Sequence, residues 1–162
     1  GQVDFSYVGY EQNGSNWWYV YGGQVCFQAT DVLPGTVGGQ YGWWKVCEGK
    51  VNFDDDVCEN AYGWWKITTG KVDFQYTGLA QNACGWWMIQ NGHVNFGSNS
   101  LVDNGNGWWL VKNGGVDFNY NGLVDNGNGW WLVKNGCVDF SYQGYVQNEC
   151  GVWWVSNGQV QF

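Results

Sequence analysis

The sequence of 162 residues has a net charge of −8, no arginine, and 14 tryptophans against only 12% charged residues. Binding to nucleic acid or to anionic lipid requires Lys and Arg opposite the phosphates, so this composition excludes both partners. No apolar run approaches the roughly 20 residues that cross a bilayer as a helix, so we expect no transmembrane segment.

Two motifs alternate along the whole chain and define an internal repeat of about 22 residues. All 14 tryptophans lie in Trp-Trp pairs, which begin at Trp17, Trp43, Trp64, Trp86, Trp108, Trp130 and Trp153. All eight phenylalanines lie in Val-x-Phe motifs, which begin at Val3, Val25, Val51, Val72, Val94, Val116, Val138 and Val160. The consensus unit is G-W-W-x-V-x-N-G-x-V-D-F-x-Y-x-G-L, followed by a polar connector.

Each unit has the pattern of a β-hairpin. Asn113-Gly114 separates two runs of alternating apolar residues, and Asn-Gly supplies the positive φ angles of a type I′ turn. This turn fixes the register. The predicted opposing pairs are Val111 with Val116, Leu110 with Asp117, Trp109 with Phe118 and Trp108 with Asn119.

Alternation along the strands gives each hairpin two unlike faces. One face holds the second Trp, both Val, the Phe and the Tyr of F-x-Y, and we expect it to form the common core. The other face holds the first Trp, a variable residue such as Lys66 or Leu110, and the Asp or Asn of V-x-F. A single hairpin is marginal in water, so neighbours must stack. The fold prediction is therefore all-β, with tandem β-hairpin repeats forming an elongated β-solenoid.

The predicted domain organisation is a single array over residues 1–162 with about seven hairpin units. The connector from Phe27 to Gly42 is read as an insertion within it. Because the sequence opens on the second half of a unit, we expect it to be a segment of a longer surface protein.

Six cysteines can form three disulfides, which fits an oxidising, extracellular setting. Sequence separation favours Cys47 with Cys58 and Cys137 with Cys150, which leaves Cys26 with Cys84.

The sequence contains few residues that could form a catalytic or a metal-binding site. His93 is the only histidine, which excludes a Cys/His zinc box, and we interpret it as a surface residue. The acidic run Asp54–Asp56 lacks a spaced Ca²⁺-loop pattern and is interpreted as a solvated connector. We therefore predict no enzyme activity, no metal and no cofactor.

The first tryptophan of each pair is the best binding candidate, because sugar rings and methylammonium groups both stack on indole faces. Neighbouring aspartates would orient hydroxyls or a cation. The alternative is that these rings are packed as scaffold. The predicted ligand-binding residues are Trp17, Trp43, Trp64, Trp86, Trp108, Trp130, Asp73, Asp117 and Asp139.

The unit NGWWLVKNGGVDFNYNGL resembles the cell-wall-binding and choline-binding type of repeat on Gram-positive surface proteins. It is most similar to the GWW-x-V-x-NGKVDF repeats of surface proteins from gut Clostridia. The resemblance implies hairpins winding with about three per turn and aromatic ligand cages between successive hairpins. It also places Cys84 and Cys150, three units apart, on the same edge of successive turns, which is a competing disulfide. The third aromatic of the choline-binding motif is replaced here by Leu79, Leu101 and Leu123.

The predicted function is a non-catalytic, extracellular or bacterial cell-surface module that binds cell-wall polysaccharide or host glycans through repeated aromatic sites. The alternative is a structural or adhesive array that binds a host protein, with tryptophan serving only as scaffold.

Overall fold

The computed structural model describes every residue from Gly1 to Phe162 as 21 short β-strands joined by turns. The strands of the first four hairpins are β1 Val8–Asn13, β2 Asn16–Tyr21, β3 Gln24–Val25, β4 Asp31–Val37, β5 Gln40–Cys47, β6 Lys50–Val51, β7 Asp56–Asn60, β8 Gly63–Thr68, β9 Lys71–Val72, β10 Gly78–Asn82, β11 Gly85–Gln90 and β12 His93–Val94. The strands of the last three hairpins are β13 Ser100–Asp103, β14 Trp108–Lys112, β15 Gly115–Val116, β16 Gly122–Asp125, β17 Trp130–Lys134, β18 Cys137–Val138, β19 Gln143–Asn148, β20 Gly151–Ser156 and β21 Gln159–Val160. The structure has no membrane-spanning helix.

The strands belong to two compact units. The first unit comprises Gly1–Ala83 with Ile89–Val94, and the second comprises Cys84–Met88 with Asn95–Phe162. Both are built from the same three-stranded element, in which an opening strand, a central Trp-Trp strand and a two-residue closing strand follow one another. The predicted all-β fold of tandem hairpins is confirmed.

The turn after the central strand has the predicted geometry. Asn113 and Gly114 have φ angles of 49° and 81°, as a type I′ turn requires. Val111 then lies opposite Val116 in the β14–β15 ladder, as the motif spacing predicts. The sequence register of this end of the hairpin is therefore confirmed.

Successive hairpins are joined through their backbones. In the second unit, Trp109 pairs with Cys137 of the next closing strand, and Leu110 N–H donates to Gly136 O at 2.8 Å. Gly136 has a φ of 78°, and a Cβ atom added to it would lie 2.4 Å from Asp117 O. Gly136 is thus required both for the turn and for the close approach of the preceding hairpin.

The core forms where unlike faces of neighbouring hairpins meet. Leu110 of one hairpin packs on Val133 and Val138 of the next, with Trp108 and Trp131 at the margin. The same arrangement places Leu132 against Val155 and Val160. Both faces of a central strand are therefore covered, one by the hairpin before it and the other by the hairpin after it.

This stacking corrects two expectations about the faces. The phenylalanines of V-x-F were predicted to be core residues, but they lie at the rim, from 42% exposed at Phe118 to 87% at Phe162. The variable position was placed on a mixed face, yet Leu110 and Lys66 are buried. The reason is that the closing strand ends before the Phe, whereas the variable residue points at the next hairpin.

The tyrosine of F-x-Y ties each closing strand to the following opening strand. Tyr76 Oη donates to Leu79 O at 2.6 Å, and Tyr120 Oη donates to Leu123 O at 3.2 Å. Lys112 Nζ lies 4.2 Å from the centre of the Tyr120 ring. These contacts fix the connector between units.

Two lysines at the variable position are held in different ways. Lys66 is 7% exposed, and its ammonium donates to Ile67 O and to Thr68 Oγ1. Lys45 Nζ instead binds two carboxylates, Asp54 at 2.8 Å and Asp56 at 2.7 Å. Burial lowers the pKa of Lys45, but its bonds to the two aspartates outweigh burial and raise the pKa above its ordinary value.

Replacing these lysines by leucine should have opposite effects on the free energy of unfolding. Lys66→Leu should leave stability unchanged or raise it by about 1 kcal/mol, because a buried ammonium without a carboxylate is replaced by the side chain that other repeats carry. Lys45→Leu should lower stability by about 1–3 kcal/mol, because the half-buried Asp56 loses its cation. Urea unfolding of both variants measures the two changes.

The pH dependence provides the control for this comparison. Asp56 has a lowered pKa, because its bonds to Lys45 and other donors outweigh its desolvation. A lowered carboxyl pKa contributes stability that is present above the ordinary value of 3.8 and is lost as the pH falls through the folded-state pKa. The Lys45→Leu variant should therefore approach the wild type in acid. A deficit that stays constant down to this range would contradict the ion-pair explanation.

Candidate functional site

Two aromatic cavities occupy equivalent positions between successive hairpins. Cage 1, of about 270 Å³, is lined by Trp43, Asn60, Tyr62, Trp65, Val72 and Phe74. Cage 2, of about 220 Å³, is lined by Leu123, Trp130, Asn148, Cys150, Trp153, Val160 and Phe162. The repeat thus builds the same cavity twice, once in each compact unit.

Each cage combines rings from two hairpins. The first Trp of one hairpin, Trp43 in cage 1, faces the second Trp and the Phe of the next hairpin, Trp65 and Phe74. Trp65 and Phe74 meet edge to face with centroids 5.5 Å apart. In the last repeat Val152 takes the place of the first Trp, so that Trp153 holds the second position. Trp153 and Phe162 repeat this pair in cage 2, also at 5.5 Å. Stacking of unlike faces is what brings the two kinds of tryptophan together.

An asparagine at the end of the opening strand orients the second tryptophan. Trp65 Nε1–H donates to Asn60 Oδ1 at 3.0 Å, and Trp153 Nε1–H donates to Asn148 Oδ1 at 2.9 Å. The same oxygen accepts the backbone N–H two residues later, Tyr62 in cage 1 and Cys150 in cage 2. The asparagine side-chain oxygen of each cage therefore already accepts two hydrogen bonds from within the protein.

The residue two positions after this asparagine, which we call the wall residue, differs between cages. In cage 1 it is Tyr62, whose ring meets Trp43 edge to face at 5.7 Å and is 74% exposed. In cage 2 it is Cys150. Cage 1 consequently has four aromatic walls, whereas cage 2 has three.

The next closing strand backs the second tryptophan. His93 pairs with Trp65 in the β8–β12 ladder, and the two rings are 5.0 Å apart. His93 is exposed, as the sequence predicts, and its ring contact with Trp65 also supports a cage wall.

A third set of equivalent residues forms cage 3, defined by Trp108, Asn126, Asn128, Trp131 and Phe140. Trp131 and Phe140 keep the edge-to-face geometry at 5.7 Å. Trp108, however, contacts both rings directly, at 5.5 Å from Trp131 and 5.9 Å from Phe140.

Comparison with known sequences identifies the repeat. The family model described as "Choline-binding repeat" matches residues 6–26, 75–95, 97–117 and 119–139, slightly more than half of the chain. The chain belongs to the choline-binding repeat family. Comparison with curated proteins finds no match.

Solved structures with similarity to this choline-binding repeat chain come from Streptococcus pneumoniae. CbpJ of strain TIGR4 has 16% identity and a TM-score of 0.39, with 96% of this chain and 52% of that chain covered. Choline binding protein F has 18% identity and a TM-score of 0.38, with 96% and 52% covered. A complex of CbpF with ipratropium has 17% identity and a TM-score of 0.38, with 96% and 54% covered. The chain spans about half the length of these structures.

The six tryptophans predicted as ligand-binding residues fall into different environments within the choline-binding repeats. Trp43 and Trp130 line the open cages 1 and 2, and Trp108 fills cage 3. Trp17 packs beside the core cluster that contains Tyr10 and Trp44. Trp64 and Trp86 are half-buried in β8 and β11.

The three predicted aspartates lie outside the linings of cages 1 and 2. Asp117 accepts a hydrogen bond from Asn119 N–H and lies 3.6 Å from Lys112 Nζ. Asp139 binds Lys134 Nζ at 3.0 Å and Ser141 Oγ at 2.6 Å. Asp73 accepts from Gln75 N–H. These carboxylates stabilise the turn after V-x-F.

Sequence reasoning missed half of each cage. The second Trp and the Phe, such as Trp65 and Phe74, were assigned to the core but form cage walls. The asparagine and the wall residue were read only as connector residues. The recurring Asn at the end of the opening strand, five residues before the second Trp at Asn60, Asn104 and Asn148, was the available signal.

The predicted disulfides are absent from the structure. Cys47 and Cys58, the pair with the shortest separation, line one cavity of about 130 Å³ without bonding, and Cys58 Sγ–H donates to Asp56 Oδ2 at 3.3 Å. Cys137 Sγ–H donates to Val138 O. Cys150 is a wall of cage 2, and it and Cys84 form no bond to each other; Cys26 is unbridged as well.

Thiol reactivity should follow these environments. Burial, followed by the hydrogen bond to Asp56, raises the pKa of Cys58 to about 12, which leaves little thiolate at neutral pH. We expect iodoacetamide to alkylate the exposed Cys150 at least about tenfold faster than Cys58. Peptide mass spectrometry after timed quenching measures both rates.

Unfolding in urea without reductant is the control. There, all six cysteines should react at similar rates, because none is bridged. Equal rates for Cys58 and Cys150 in the folded protein, or thiols that react only after reduction, would contradict the structure.

Proposed function

We propose that the chain is a non-catalytic binding module that holds quaternary ammonium groups, such as the choline of a cell-wall polymer, in its aromatic cages. The observation that supports this most directly is cage 1, where Trp43, Tyr62, Trp65 and Phe74 line one open cavity. Membership of the choline-binding repeat family supports the same ligand class.

The chemistry of the lining suits a cation that neither donates nor accepts hydrogen bonds. A trimethylammonium group is attracted to the negative faces of aromatic rings and is commonly bound by several rings at once. Asn60 Oδ1, the polar atom at the edge of cage 1, already accepts bonds from Trp65 and Tyr62. A sugar would need free hydrogen-bonding partners for its hydroxyls, so the cage favours the ammonium group.

The charge distribution of the chain also favours a cationic ligand. Neither cage lining contains a charged residue, while the whole chain has a net charge of −8. The overall field attracts a cation without providing a carboxylate that would favour small inorganic ions. Binding energy within the cage then comes from the rings.

Repeated sites suit a polymer ligand. Several weak sites on one chain bind a polymer that carries many identical groups with an avidity well above that of one site. This fits a role on a cell surface or as a secreted protein that attaches to the wall, and we propose that location. Host glycans are a less favoured ligand.

A scaffold or adhesive array is the second candidate. It is favoured by Trp108, which packs directly against two other rings, and by Trp17, which borders the core. In that case the tryptophans stabilise the hairpins, and a protein or glycan partner would bind elsewhere on the surface.

Choline titration separates these functions. Tryptophan fluorescence should change saturably with choline chloride and much less with dimethylbutanol, the neutral isostere in which carbon replaces nitrogen, because the cation–π attraction requires the charge. A flat response to choline, with the fold intact by circular dichroism, would exclude the cages as ammonium sites and favour the scaffold function.

Variants at exposed tyrosines test cage 1 itself. Tyr62→Ala removes a cage wall that is largely exposed, and should weaken choline binding at cage 1 by about tenfold without much loss of stability. Tyr21→Ala is the matched control, because Tyr21 is also exposed, at 66%, but lies outside both cage linings. Equal losses in the two variants would contradict the assignment of cage 1.

A further inference from the structure

Cage 3 has the composition of a binding cage but a different arrangement of its rings. Trp108, Trp131 and Phe140 occupy the positions of Trp130, Trp153 and Phe162 in cage 2. In cage 2 a cavity lies among these rings, whereas in cage 3 Trp108 lies 5.5 Å from Trp131 with the planes tilted by 43°. Trp108 thus takes up the space in which a ligand would sit.

This arrangement leaves a polar atom unsatisfied. The Nε1–H group of Trp131 is buried and has no hydrogen-bond partner. The equivalent indoles of Trp65 and Trp153 donate to asparagine. Trp109, in the hairpin before cage 3, likewise donates to Asn104 at 3.2 Å. Asn126 is the asparagine available to Trp131, and its Oδ1 accepts only from Asn128 N–H at 3.0 Å.

The wall residue of cage 3 lacks the ring that cage 1 has at this position. In cage 1 the Tyr62 ring contacts Trp43 and holds it at the side of the cavity. In cage 3 the wall residue is Asn128, which is exposed and whose short side chain cannot make such a ring contact. Cage 2 also has no ring at this position and is open, so the short side chain of Asn128 permits the contact of Trp108 with Trp131 but does not enforce it.

We propose that cage 3 is a further quaternary ammonium site that Trp108 occludes in the free protein. A ligand displaces Trp108 from Trp131, and the indole of Trp131 then turns to donate its Nε1–H to Asn126 Oδ1. The inference rests on the proposed function of cages 1 and 2 and adds to it a site that opens only on binding.

The indole N–H of Trp131, which lacks an acceptor, lowers the free-energy cost of opening cage 3. A buried donor without an acceptor destabilises the occluded arrangement, so the hydrogen bond gained on opening offsets part of the loss of ring contacts. Because the free protein is mainly occluded, the apparent affinity of cage 3 is reduced by the fraction that is open. We expect cage 3 to bind choline about tenfold more weakly than cage 2.

Indole NMR of the 15N-tryptophan-labelled full chain tests this directly. The signals of Trp65, Trp131 and Trp153 are assigned with single Trp→Phe variants, and choline chloride is titrated. The Trp131 indole proton should shift downfield and saturate at higher choline concentrations than the Trp153 signal, because it gains a hydrogen bond. The Trp65 and Trp153 indoles keep theirs throughout.

The outcomes distinguish the two proposals. Saturable shifts at Trp65 and Trp153 with an unchanged Trp131 signal would overturn the occluded site but leave the proposed function intact. Unchanged signals at all three indoles would overturn both.

Two variants test the gate without relying on the wild-type response. Asn128→Tyr installs the wall residue of cage 1 and should hold Trp108 aside, so that cage 3 binds choline several-fold more tightly. Asn106→Tyr, the same change one hairpin earlier, is the control and should leave the Trp131 titration unaltered. Equal behaviour of the two variants at Trp131 would contradict the role of Asn128.

Substitution of the asparagines of cages 2 and 3 gives a second test, which compares the stability of two variants of the free protein. Asn148→Ala removes a backbone contact and the indole bond of Trp153, whereas Asn126→Ala removes only the equivalent backbone contact. Asn148→Ala should therefore lower the urea midpoint more. In the presence of saturating choline the two losses should become similar, because Asn126 then also binds an indole; a difference that persists would contradict the opening of cage 3.

Discussion

The stacking of unlike faces of successive hairpins is the constraint on which the rest of this structure depends. The closing strand has only two residues, and its turn glycine lies against the preceding hairpin, as Gly136 does against Asp117. This approach forces the variable residue of one hairpin onto the valines of the next, as Leu110 packs on Val133. No hairpin could bury either face alone, so the hydrophobic stabilisation is shared between neighbours.

The aromatic cages are a consequence of this stacking. It brings two indoles from different hairpins and one phenyl ring to the rim, where these rings surround the space of each cage. The framework is the same in every cage, but the space between the rings is open in cages 1 and 2 and closed by Trp108 in cage 3. In cage 1 the Tyr62 ring contacts Trp43 beside the open cavity, whereas in cage 3 Trp108 contacts Trp131 directly. The arrangement of the rings thus differs between cages without a change of fold.

The sequence predicts the structure within one hairpin, but it does not predict how successive hairpins pack on each other. Asn113-Gly114 and the alternation of apolar residues are sufficient for the turn and for the pairing of Val111 with Val116. Alternation also separates Trp108 from Trp109, but it does not say which face meets which hairpin. For that reason Phe118 was wrongly placed in the core, and the burial of Lys66 was not foreseen. Cysteine count predicted disulfides, although bonding requires positions that only the fold supplies.

The placement of carboxylates explains how an acidic chain can provide sites suited to large organic cations. A carboxylate inside a cage would attract any small cation and would need hydrogen bonds of its own to remain buried. The aspartates of V-D-F lie instead at the turns, where Asp117 and Asp139 face Lys112 and Lys134. The cages are left with ring faces and one satisfied asparagine. Their attraction for a cation therefore comes from polarisable surface, which favours a group that is large, charged and poorly hydrated over one that holds its water tightly.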